Sequence, residues 1–316
     1  MKDRIKLGIS SCLLGEKVRY DGGHQLDRFL TNTLGQYVEW VPVCPEVECG
    51  LPIPREAMRL VGSPDSYRLV TNKTGVDHTD RMLKWAAGKL KELEKEDLCG
   101  FVFKNRSPSS GMQGVKIYSA SGIPASKGPG IFAGAFMKRL PLLPVEDDGR
   151  LNDARLRENF IERIFVMKRW QELRKERASV GRLVAFHTSL KLLVLSHSTK
   201  HYREMGRLVA RGKEMPVDRL YNEYFQLLME GLKLIATVKK NTNVLQHLMG
   251  HFKKELSADE KAELVALIGD YHGGLVPLIV PLTLLKHYVR KFKEPYLEKQ
   301  FYLNPHPTEL MLRNHV

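Results

Sequence analysis

The chain lacks any hydrophobic run of the ~18 uninterrupted apolar residues that a membrane span requires. Its longest candidate, residues 275–285, is short and is interrupted by Pro277 and Pro281. It also lacks the basic segment and apolar stretch of a secretory signal at its start. These features lead to the expectation of a cytoplasmic protein with no membrane partner. Cysteine is scarce, with four in 316 residues, and in a reducing compartment so few thiols point to ligands or reactive groups rather than a disulfide framework. Internal repeats and low-complexity tracts are absent, which excludes a fibrous or disordered chain. Acidic residues are in deficit, 36 Asp+Glu against 50 Lys+Arg, for a net charge of +14.

What remains is ordinary globular material, 43% apolar and 27% charged, enough for two domains with their own cores. The positive charge is unevenly spread. Residues 1–150 hold 22 Lys+Arg against 18 Asp+Glu, and residues 151–316 hold 28 against 18. A balance of +4 followed by +10 is the electrostatic footprint expected for a polyanion, because each cation near a phosphate releases condensed counterions.

Alternation or β-rich composition predicts strands at 5–10, 37–43 and 101–104, and helical periodicity predicts helices at 24–34, 79–95 and about 130–139. Strands alternating with helices imply a parallel sheet of the Rossmann or flavodoxin-like kind, which binds ligands beyond the carboxyl ends of its strands. The polar stretch 146–152 reads as a boundary, giving domains 1–148 and 149–316. After it only helices are expected, at 183–198, 202–211, 217–239, 244–256, 258–271 and about 281–293, with Asn152 or Asp153 capping an earlier one. The fold class is therefore an α/β N-terminal domain with a parallel sheet followed by an all-α C-terminal domain.

Three cysteines fall where predicted strands pass into loops: Cys12 after the first, Cys44 and Cys49 after the second. Thiolates are soft ligands that suit an iron–sulfur cluster or zinc, and spacing alone does not separate the two. Cys99, at the start of the third strand, is expected to be an apolar filler. Glu46, two residues after Cys44, is positioned to pass a proton to a bound ring or to activate water, with a turn cap as its competing role. Burial against apolar walls is expected to tune it. The pairs His197/His201 and His247/His251 share helix faces but have no completing ligand set, so polar surface or RNA contact is expected of them.

The motifs Ser11-Cys12-Leu13-Leu14-Gly15, Val18-Arg19-Tyr20-Asp21-Gly22, Pro42-Val43-Cys44-Pro45-Glu46, Gly50-Leu51, Pro54-Arg55, Lys104 and Ser107-Pro108-Ser109 occur in that order. In them residues 1 to about 148 resemble the thiouracil desulfurase family. The remainder resembles the YbgA-like helical domain through His187-Thr188-Ser189-Leu190-Lys191, Leu195-Ser196-His197, Gly206, Pro277 to Thr283, Tyr302-Leu303 and Pro305-His306-Pro307. The tandem is similar to fused bacterial tRNA 4-thiouridine desulfidases. The resemblance implies a [4Fe-4S] cluster on three cysteines, the third usually the fourth residue of a Ser-Pro-Ser-Cys-Gly loop. Here that residue is Ser110, and the expectation is that the ligand has relocated, so that Cys12, Cys44 and Cys49 hold the iron; the alternative is that Cys49 is incidental and Ser110 marks an inactive or engineered protein.

It further implies that Glu46 and Ser107 are catalytic, and that 4-thiouridine in tRNA becomes uridine with release of sulfide and no net redox change. Free thiolated bases such as 2-thiouracil are the alternative substrate, and a metal-containing RNA-binding protein without turnover is the alternative class. RNA contacts are expected on the basic helical half, at Lys191, Lys200, Arg203, Arg207, Arg211 and Lys253, with further cations at Lys239, Lys240 and Lys254.

Overall fold

The computed structural model of the protein describes residues 4–119 and 121–315. The chain divides into two compact units, one ending at Asp153 and the other beginning at Ala154. The first contains β1 (Ile5–Ser10), β2 (Val38–Val43), the one-turn helix α1 (Pro45–Glu48), β3 (Met58–Ser63), β4 (Ser66–Thr71), α2 (Thr79–Leu93), β5 (Gly100–Phe103), β6 (Val115–Tyr118), β7 (Pro124–Gly128), α3 (Ile131–Arg139) and β8 (Val145–Asp147). One sheet has the order β2-β1-β5-β8 and is parallel throughout. From β1 the chain winds outward to β2, then returns past β1 to β5 and β8. The winding thus reverses between β1 and β5, where sheets of this kind open a crevice.

Apolar side chains of this sheet pack with α2 and α3. Phe101, Phe103, Phe132 and Phe136 form an aromatic cluster with centroids from 4.4 to 6.3 Å apart in tilted and edge-on arrangements. Gly8 lets this cluster close, because a Cβ there would stand 2.1 Å from the Phe101 ring. Cys99 is fully buried, as an apolar filler should be.

A second sheet, β4-β3-β6-β7, is not foreshadowed in the strand pattern. β3 pairs antiparallel with β4 and parallel with β6, and β6 pairs antiparallel with β7. Its inner face contributes Leu60, Leu69 and Ile117 to the core, while Arg59 and Lys116 alternate to the other face. The helix expected at 24–34 begins later and is not a regular α-helix: a π-helical turn spans Phe29–Thr33 and a 3-10 turn follows over Leu34–Gln36. There the Asp27 carboxylate accepts the Leu30 N–H at 3.0 Å.

The second unit is built from α4 (Ala154–Lys175), α5 (Val180–His197), α6 (Thr199–Ala210), α7 (Val217–Lys233), α8 (Val238–Gly250), α9 (Ala258–His272), α10 (Ile279–Phe292) and α11 (Pro295–Glu298). No strand occurs among its described residues. The single helix expected over 217–239 breaks after Lys233, and the Thr237 hydroxyl caps a new one by accepting the Lys240 N–H. Side chains satisfy the carbonyls released at the break. Asn159 Nδ2 donates to Leu232 O at 2.9 Å and Lys240 Nζ to Ile235 O at 3.1 Å. Among the described residues no helix is long and apolar enough to cross a membrane.

Candidate active site

Loops at the carboxyl ends of β1, β2 and β5 surround a cavity of about 320 Å³, within the size range of small-molecule sites. A 3-10 turn over Ser11–Leu14 carries Cys12 into it, and Gly15 closes that turn at φ +93°, a conformation that favours glycine. Cys44 follows β2 at the N-cap of α1, whose first residue is Pro45, where proline's missing N–H costs nothing. The loop after β5 brings Lys104 to Ser110 to the wall. Its serines are fixed by the start of α3, where the N–H groups of Ile131, Phe132 and Ala133 donate to the carbonyls of Pro108 and Ser109. Gly130 permits this approach, because a Cβ there would lie 2.6 Å from the Ser109 carbonyl carbon.

Glu46 lines the cavity at the centre of a polar network. The Arg55 guanidinium donates to Glu46 Oε2 through Nε at 2.8 Å and also through Nη2, while Nη2 further donates to Val18 O at 2.9 Å. The Ser109 hydroxyl donates to Glu46 Oε1 at 2.7 Å. With its proton so committed, Ser109 accepts from the Ser107 hydroxyl 3.0 Å away, and Ser107 accepts the Ser110 N–H at 3.1 Å. Ser107, Ser109 and Glu46 thus form a directed chain of hydrogen bonds. Where apolar walls were expected, the Glu46 carboxylate meets a guanidinium and the Ser109 hydroxyl. Glu48 has a structural task, accepting the Cys44 N–H at 2.9 Å and pairing with Lys89 at 3.0 Å.

Burial pushes the Cys12 thiol up to about 12 against the pull of Lys104, and burial likewise raises Cys44. Lys104 is held by Asp148, Nζ to Oδ2 at 2.6 Å, and its N–H donates to Ser10 Oγ at 2.9 Å. Of the cations that line the cavity, Arg19 pairs with Asp21, Arg55 with Glu46 and Lys104 with Asp148, so exposed Arg106 is the one without an ion pair among the described residues.

Cys12, Cys44, Glu46 and Ser107 are therefore brought together, and Cys49 is not. Its thiol lies 3.3 Å from Glu46 O at the end of α1, where it packs against the apolar core. Cys49, expected to supply the third thiolate, is not among the residues that line this cavity. Ser110, 4% exposed, lines the cavity in its place. Arg55 and Ser109 stand inside the motifs Pro54-Arg55 and Ser107-Pro108-Ser109, but no local pattern marks either as a partner of Glu46.

In the helical unit Arg203 joins Lys239, Lys240 and His247 along a groove between α6, α8 and α9. Lys191, Lys200, Arg207, Arg211 and Lys253 lie outside that groove. Lys191 sits over the Tyr296 ring at 5.0 Å, and Arg211 pairs with Glu214 at 2.8 Å. His197 is not a surface residue. It is fully buried, with Nε2 3.0 Å from Glu162 Oε2 and Nδ1 2.6 Å from Leu234 O. His251 is exposed and stacks on Tyr296 with centroids 5.1 Å apart.

Two family models match the chain: 2-thiouracil desulfurase over residues 7–148, and a protein of unknown function (DUF1722) over residues 191–307. The uncharacterized protein YbgA of Escherichia coli (strain K12) is 32% identical over 165 residues, 52% of this chain and 98% of that protein. The uncharacterized protein YbbK of Bacillus subtilis (strain 168) is 28% identical over 108 residues, 33% of this chain and 71% of that protein. Among solved structures, a [4Fe-4S]-dependent thiouracil desulfidase, TudS, matches at 27% identity and a TM-score of 0.39, over 48% of this chain and 95% of that one.

Proposed function

We propose that this chain, which belongs to the YbgA family through its second half and carries a 2-thiouracil desulfurase domain in residues 7–148, hydrolyses the carbon–sulfur bond of a thiolated uracil, with 4-thiouridine in tRNA as the substrate. The observation that carries this reading is the placement of Glu46, held by Arg55 and Ser109, in one cavity with Cys12 and Cys44.

The donor set suits a [4Fe-4S] cluster. Cys12 and Cys44 offer two soft thiolates, and the Ser110 hydroxyl is the third donor lining the same cavity. A bound cluster would supply a Lewis-acidic iron to polarise the thiocarbonyl. Glu46 accepts one proton from the attacking water as its oxygen bonds to the ring carbon, and the second proton leaves with the sulfur when the carbon–sulfur bond breaks. Sulfur leaves as sulfide, the ring carbon keeps its oxidation state, and no reductant is consumed. Arg55 fixes the carboxylate's direction. The Ser107–Ser109 chain leads a proton path to it. Among the cations lining the cavity, exposed Arg106 suits a nucleotide's phosphate better than a neutral free base.

Glu46→Gln is expected to lower kcat about 100-fold or more, the scale of one positioned acid–base group, while iron content is unchanged. Anaerobically reconstituted protein is to be followed by loss of the near-ultraviolet thiocarbonyl band. Multiple turnover on tRNA containing 4-thiouridine supports the substrate assignment. Turnover on free 2-thiouracil alone replaces it with the free base. Full activity in Glu46→Gln removes the carboxylate from the chemistry.

A further inference from the structure

We propose that the outer face of β3, β6 and β7 carries the RNA strand that flanks the base in the active-site cavity. This rests on the tRNA reading above and locates its docking surface on the first unit rather than on the helical one.

Three observations meet there. A broad groove of about 1050 Å³ runs over this sheet, and Asn105, Arg106 and Pro108 line both it and the active-site cavity. A strand lying in the groove therefore reaches the site without a break. Second, the face carries a row of cations. Lys116 stands directly opposite Lys127 in the antiparallel β6–β7 ladder, and the parallel register of Leu60 with Ile117 sets Arg59 beside Lys116 on β3. Leu60 and Ile117 point into the core, so their neighbours Arg59 and Lys116 turn to the groove. Strand spacing of about 4.8 Å places three positive charges side by side. Like charges opposite one another destabilise a ladder unless an anion lies between them. Among the described residues none of the three forms an ion pair, and the one carboxylate in the lining, Asp147, is 2% exposed. Third, the Arg59 guanidinium lies over the Tyr118 ring at 5.5 Å, and its Nε is buried with no hydrogen-bond acceptor among the described residues.

A sheet face with cations for phosphates and a ring for stacking is a surface that binds unpaired RNA. Extruding a thiolated base from the tRNA stack costs a few kcal/mol. Phosphate contacts made next to the cavity offset that cost where it arises.

The test uses the full chain and tRNA containing 4-thiouridine, with Kd measured by fluorescence anisotropy at several salt concentrations. The double variant Lys116→Glu/Lys127→Glu is expected to raise Kd about tenfold or more and to lower the slope of log Kd against log salt by about 1.4 to 1.8, from two lost phosphate contacts. Thermal melting checks its fold. Should it melt early, Lys127→Gln on exposed edge strand β7 is the second variant, with an expected slope change of about 0.7 to 0.9. Unchanged affinity and slope in variants that melt like the wild type overturn this proposal alone. So does a loss confined to Arg203→Glu/Lys239→Glu in the helical groove. A wild-type chain with no salt-dependent affinity for tRNA overturns both this proposal and the tRNA reading.

Discussion

Cys12→Ser and Cys44→Ser are each expected to abolish iron retention after anaerobic reconstitution, Cys49→Ser to keep the wild-type iron content, and Ser110→Cys to raise it roughly twofold or more. The ordering follows from the cavity wall. Cys12, Cys44 and Ser110 line it, whereas Cys49, at the end of α1, packs against the apolar core and is not in the lining. A serine hydroxyl ionises far less readily than a thiol of ordinary pKa ~8.5, and as a hard donor it matches iron of a sulfide cluster less well. The third donor is therefore the weak one, and replacing its oxygen by sulfur strengthens it. Iron and acid-labile sulfide per chain after desalting are the readouts. Loss of iron in Cys49→Ser, with retention in Cys12→Ser, would reverse the assignment.

Arg313→Met is expected to destabilise the helical unit by about 3–5 kcal/mol at neutral pH, the cost of removing one partner from a buried ion pair. Arg313, 5% exposed, donates to Glu158 Oε1 at 3.1 Å, to Glu162 Oε1 at 2.7 Å and to Tyr302 O at 2.6 Å. Without it the buried Glu162 carboxylate keeps only its His197 contact and stands beside the half-buried Glu158 with no guanidinium between them. The pH dependence has a defined sign. Against the upward push of burial, the His197 hydrogen bond and the charge of Arg313 hold Glu162 down to about 2. Its contribution is present above the ordinary value of 4.5 and is lost as pH falls towards 2. Burial and the neighbouring Glu162 raise Glu158 to about 8, so that group acts oppositely and costs stability as pH rises towards 8. The deficit of Arg313→Met should be greatest near neutrality and shrink as pH falls from 4.5, because protonated carboxyls need no cation. Urea unfolding followed by far-ultraviolet circular dichroism at pH 7 and pH 3 measures it. A deficit below about 1 kcal/mol at pH 7, the value of a surface pair, would mean that the network is not coupled to folding.

The parallel sheet was legible because each of its first strands is a short alternating or apolar run ended by a turn, and β1 falls on residues 5–10 as read. The second sheet was not, because β3 and β6 spend alternate positions on Arg59, Val61 and Lys116, and β6 is four residues long. Such strands resemble loop. The motifs gathered Cys12, Cys44, Glu46 and Ser107, which line one cavity, and Cys49, which does not. The one-turn helix α1 separates the two cysteines, with Cys44 extended before it and Cys49 capping its end. Arg55 and Ser109 were hidden for another reason. Their roles depend on a contact with Glu46 across 9 and 63 residues of chain, which no local pattern encodes. His197 was read as surface from its i, i+4 partner, whereas it is fully buried and pairs with Glu162 on α4.

The most direct test of hydrolytic desulfuration is a stoichiometric one. Protein reconstituted anaerobically with iron and sulfide, then desalted, is given the thiolated uracil substrate without any reductant, and sulfide and the oxygen-containing pyrimidine are quantified together. The account predicts equal amounts of the two, exceeding the protein many times over, with oxygen-18 from labelled water in the pyrimidine carbonyl. Sulfide release that requires a reductant, or a product carbonyl without the label, would contradict it.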